Sequence, residues 1–86
     1  MVKDGDLVAI FHSIHRVMKA EKILKQNKAE ILLIPVPRQL TSDCGLAIRL
    51  APEVRTEVWE LLKRESLLPV ELYQHHDGQY TPLEPS

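Results

Sequence analysis

A single cysteine, Cys44, occurs among the 86 residues, so no internal disulfide can form. No Cys-x-x-Cys pair exists, and that pairing would be the strong signal for a structural zinc site. Aromatic residues are scarce (Phe11, Trp59, Tyr73 and Tyr80), too few for a base-stacking platform. The net charge is -1, and no segment collects Lys and Arg alone, which argues against binding nucleic acid by phosphate neutralisation. No apolar run approaches the roughly 20 residues of a membrane-spanning helix. Nor does a positively charged leader precede a long apolar stretch. Glycine is too sparse for a phosphate cradle, and the chain is too short for a protease-like substrate cleft. These absences predict a cytoplasmic protein of one domain, residues 1–86, without nucleic-acid or membrane partners.

The composition that remains suits a folded chain: 44% apolar and 27% charged residues, with charge nearly balanced. After the turn-like Asp4-Gly5-Asp6, the run Leu7 to Phe11 reads as a short strand buried on both faces. Ser13 is a helix N-cap candidate, and Val17, Ala20 and Leu24 make one apolar stripe. The first helix should run from Ile14 to Gln26, with Asn27 as a left-handed cap. Glu30 to Ile34 reads as a second strand, ended by Pro35 and Pro37. Leu46 to Leu50 alternates as a third strand. Pro52 opens a second helix reaching about Glu65, with Val54, Val58, Leu61 and Leu62 inward. Val70 to Gln74 is a fourth strand, and the Asp77-Gly78 turn lets Gln79 to Thr81 fold back as a small arm. Residues 82–86 should be a loose tail.

The order strand, helix, strand, strand, helix, strand predicts an α+β, ferredoxin-like βαββαβ sandwich with both helices on one face of an antiparallel sheet. Right-handed crossovers put the strands in the order four-one-three-two, with strands two and four at the edges. The predicted core is Val8, Ile10, Val17, Ala20, Leu24, Ile31, Leu33, Ile48, Val58 and Leu62. Edges invite pairing, so a homodimer through one of them or the open sheet face is expected.

The chain is organised around Pro35 to Leu50, which holds Cys44 followed at once by Gly45. In the expected topology, Cys44 lies where strand three begins, at the sheet end shared by His12, Ser13 and the first helix. Helix amides and a protonated His12 or His15 would favour the thiolate over a thiol of ordinary pKa, about 8.5. Asp43 opposes them as a like charge. Gly45 would let a substrate approach closely, and Arg38 could guide a charged partner. A plainer reading stands beside this one: a lone cysteine is commonly a small buried hydrophobe, and histidines end strands without chemistry. His12, His15 and Cys44 are zinc-type ligands, with His75 and His76 as further candidates, yet no metal or other cofactor is expected.

Several segments resemble a family of small selenium/sulfur carrier-like proteins. They are the helix Lys19 to Lys25 (KAEKILK), Ile34 to Leu40 (IPVPRQL), and Ser42 to Leu50 (SDCGLAIRL) with its Cys-Gly-Leu-Ala core. The resemblance implies carriage of the chalcogen as a persulfide or selenopersulfide on Cys44, with Gly45 as its structural companion. Donor and acceptor proteins for sulfur or selenium would then be the partners. The function expected is therefore a carrier or sulfurtransferase-like protein, with Cys44 as nucleophile and Gly45, His12, Ser13 and Arg38 in the binding corner. The alternative is a small partner-binding or ligand-sensing module that uses its sheet.

Overall fold

The computed structural model describes residues 2–41 and 44–86. In chain order the elements are β1 (Leu7–Ile10), α1 (Ile14–Gln26), β2 (Ile31–Pro35), β3 (Leu46–Leu50), a 3-10 turn (Pro52–Val54), α2 (Arg55–Arg64), β4 (Glu71–His76) and β5 (Gln79–Leu83). The architecture is α+β. Its sheet is five-stranded and antiparallel, in the order β2-β3-β1-β4-β5.

Strand neighbours follow the expected four-one-three-two, but the four-stranded sandwich is corrected to five strands. Asp77 and Gly78 both take left-handed backbone angles (φ 56 and 76), which turns the chain sharply back. The returning segment then pairs along β4 from His76↔Gln79 to Leu72↔Leu83. β4 is therefore interior, and the edges are β2 and β5. The tail is corrected too, since Pro82 and Leu83 belong to β5. Beyond them Trp59 Nε1 donates to the Pro85 carbonyl at 2.6 Å, and Arg55 to that of Glu84 at 2.6 Å.

Helix α1 has the limits its sequence predicts. The Ser13 hydroxyl accepts the Arg16 amide at 3.3 Å, satisfying one of the free donors of the first turn. At the other end Asn27 is not left-handed, with φ -95. Lys28 takes that conformation (φ 59), and the amides of Lys28 and Ala29 bond to the carbonyls of Lys25 and Leu24. The Asn27 side chain instead donates to the Ile23 carbonyl. Helix α2 ends the same way, with Ser66 left-handed and the Leu67 amide on the Leu62 carbonyl.

Both helices contribute to one core with Leu7, Ala9, Phe11, Ile31, Ile48, Leu50 and Leu72 of the sheet. Val8 and Ile10 are fully buried, as expected, but on the opposite face with Ile34 and Ala47. Val2, Val36, Leu40, Tyr73 and Tyr80 cover them there. Neighbouring residues of a strand face opposite ways, so the central strand β1 is apolar throughout because both of its faces are covered. Leu33, placed in the core by its sequence, is only half-buried on the edge strand β2. Among the described residues no helix is long and apolar enough to cross a membrane.

Candidate functional site

The loop between β2 and β3 delivers Cys44 to one end of the sheet. Val36 donates to the Gly45 carbonyl at 3.0 Å, closing the β2–β3 ladder, while a turn from Pro37 to Leu40 carries the chain outward. Gly45 has φ +74, and a Cβ built there meets nothing within 4 Å. Its requirement is the left-handed backbone, and the space above it is open. Cys44 is half-buried, packs against the helix-side core, and donates from Sγ to the Leu46 carbonyl at 3.3 Å.

The direction of that bond locates the sulfur. Successive carbonyls along a strand point to alternate sides. The Gly45 carbonyl faces β2, so the Leu46 carbonyl faces β1. The last β1–β3 pair is Ile10↔Ala47, and the residues of β1 that follow it are Phe11 and His12. The thiol thus sits on the β1 side of the entrance to β3, past the end of that ladder.

His12 occupies the same end. Its backbone is left-handed, with φ 57, a conformation uncommon for any residue but glycine. Its Nε2 stands 2.6 Å from Oε2 of Glu71, and the Tyr73 hydroxyl donates to Oε1 of the same carboxylate at 2.6 Å. The Tyr73 bond, then that of His12, holds the Glu71 carboxyl below its usual range. Chiefly through the bond to Glu71, the Tyr73 phenol is pushed up. An ionised carboxylate only accepts, so Nε2 carries the imidazole hydrogen. The other ring nitrogen, Nδ1, is buried and has no hydrogen-bond partner among the described residues.

The remaining candidates have separate places. The Ser13 hydroxyl caps α1, and His15 is exposed in the first turn. Arg38 is exposed on the turn before Cys44. Ser42 and Asp43, the latter expected to oppose a thiolate, lie outside the described residues. The ring of His75 rests on Tyr80 with centroids 4.9 Å apart, and His76 Nδ1 lies 3.5 Å from Asp4. Among the described residues no group of three or more His, Cys, Asp or Glu could hold a metal ion.

Sequence reasoning missed Glu71 and Tyr73. They lie 59 and more positions from His12, and no local spacing connects them. The available signal was topological: with β4 beside β1, the start of β4 must meet the end of β1, as Ile10↔Glu71 does. Tyr73 then shares the face of Glu71, two residues along.

A family model described as "Putative Se/S carrier protein-like" matches residues 6–74, a span that includes Cys44, His12 and Glu71. No curated protein and no solved structure matches the chain.

Proposed function

The chain belongs to this selenium/sulfur carrier-like family, and from that premise we propose that it carries sulfur or selenium on Cys44. The observation that carries the reading is that the family match spans the only thiol in the chain. In the proposed cycle the Cys44 thiolate attacks the terminal chalcogen of a donor persulfide or selenopersulfide. The Cys44–chalcogen bond forms as the donor's own bond to that atom breaks, and the donor leaves as a thiol. An acceptor thiol repeats the exchange, so no external oxidant is consumed.

Cys44 is half-buried, and Arg38 is exposed on the turn that precedes it in the chain. Arg38 would meet an anionic donor or its protein there. Ser13 acts through the cap that fixes the start of α1 beside this corner. The fold is read as a ferredoxin-like unit of β1 to β4 with β5 appended. A homodimer belongs to the same proposal. β2 is the better edge for it, because Leu32 is exposed there while Pro82 removes an amide from β5. Light scattering should give twice the chain mass, and a monomer at high concentration would remove the dimer.

The test of carriage is a two-step exchange. Protein loaded with a labelled low-molecular-weight persulfide, freed of donor, should yield its label to an acceptor thiol. The competing reading, a partner-binding module in which Cys44 only packs, is favoured by the thiol's bond to Leu46 and its contact with the core. It predicts that no label is taken up until the chain is unfolded.

A further inference from the structure

We infer that the exposed face of α1 is a docking surface for a protein partner whose own surface is acidic around an apolar centre. Its link to Cys44, which makes that partner the chalcogen donor or acceptor, rests on the carrier reading.

The first support is charge. Arg16, Lys19, Lys22 and Lys25 recur every three residues along α1, against one carboxylate, Glu21, in a chain whose net charge is -1. Neighbours three apart share a helix surface, so this row repels itself in the free protein. Two members have a local use: Arg16 donates to the Ser66 carbonyl at 2.9 Å, and Lys25 suits the negative end of the helix. Lys19 and Lys22 have none, and among the described residues no lysine of α1 forms an ion pair. An acidic surface laid on the row relieves that repulsion. The second support is apolar. Ile14 and Met18, four apart on the outer face, are each 44% exposed. Met18 borders one surface depression with Lys19, Lys22 and Lys25. An apolar centre ringed by cations fits the reverse pattern on a partner.

The third support is position. α1 packs over β2 and β3, the strands that the Cys44 loop joins. Ile10 pairs with Ala47, so α1, which starts at Ile14, and β3, entered through Cys44, begin at the same end of the sheet. Cys44 packs on the helix side of the sheet, the side that carries α1. A partner seated on α1 thus reaches toward the sheet end at which Cys44 enters, and the turn before Cys44 adds Arg38 as a further exposed cation. A bilayer is the poorer fit. Val17, Ala20 and Leu24 are buried in the core, which leaves α1 too narrow an apolar strip to insert.

The test compares two peptide persulfides as donors, one rich in Glu around a Leu, the other with Gln in place of each Glu. At low salt the Glu peptide should load Cys44 about tenfold faster, the low end for electrostatic steering. The advantage should vanish in about 1 M salt, where charges are screened beyond about 3 Å. It should also vanish in the double variant Lys19→Glu, Lys22→Glu, and shrink in Met18→Gln. The same charge change on α2, Lys63→Glu with Arg64→Glu, should leave it in place. A small neutral persulfide should load all these variants at the wild-type rate. Equal rates from the two peptides, or an advantage lost equally in the α2 variant, would overturn the inference and leave the carrier reading intact. If wild-type protein loads from no persulfide, the carrier reading falls, and fluorescence anisotropy of the labelled, persulfide-free Glu peptide on the same variants decides docking by the same criteria. Binding to phosphatidylserine vesicles, or a dimer that the Lys19→Glu, Lys22→Glu change dissolves, without a preference for the Glu peptide, would assign the face to a membrane or a second copy and overturn it.

Discussion

Glu71 binds His12 across the end of the β1–β4 ladder, Oε2 to Nε2 at 2.6 Å, and joins residues 59 positions apart. The Tyr73 bond to the other oxygen is the largest cause of the lowered Glu71 pKa. Tyr73→Phe should therefore raise that pKa toward the ordinary 4.5, as read from the side-chain carboxyl by NMR titration. A depressed carboxyl pKa stabilises the fold fully above the unfolded value and loses that contribution as pH falls through the folded one. Wild-type stability should accordingly fall in the acid range below 4.5, with less of that fall in Tyr73→Phe.

Two left-handed positions, one at the end of α1 and one before β3, give a contrasting pair. Lys28 has φ 59 and Gly45 φ 74, but only the second is a glycine. Left-handed backbone costs a residue with Cβ about 1–2 kcal/mol. Lys28→Gly should stabilise the protein by about 1 kcal/mol, and Gly45→Ala should destabilise it by a similar amount, although its Cβ meets no neighbour within 4 Å. Urea denaturation of both variants checks the opposite signs.

Trp59 anchors the end of the chain through its indole N–H on the Pro85 carbonyl at 2.6 Å. Trp59→Phe retains most of the ring's packing but loses that donor. Hydrogen exchange should then quicken in β5, whose other neighbour is β4 alone, while the β1–β3 amides stay protected.

Much of the fold was legible because local signals agreed. Ser13 and the stripe Val17, Ala20, Leu24 set the limits of α1, and the crossover rule set β3 between β1 and β2. β5 was read only as far as Thr81, because Pro82 and weak alternation hide the strand that pairing with β4 completes. Asn27 was misassigned since either residue at a helix end can take the left-handed turn, and here the chain used Lys28. Cys44, Gly45 and His12 stood out by residue type. Glu71 did not, because an acid at the start of a half-exposed strand looks like ordinary surface. Its meaning comes from the register Ile10↔Glu71 alone.

The central claim is that Cys44 takes up a chalcogen in the folded protein. Peptide-level mass spectrometry after exposure to one equivalent of a persulfide donor tests it most directly, with Cys44→Ser beside the wild type. Circular dichroism should show both folded. The account predicts a gain of one sulfur atom on the peptide containing Cys44 and no gain in Cys44→Ser. An unmodified Cys44 in the folded protein, reacting only after denaturation, would contradict it.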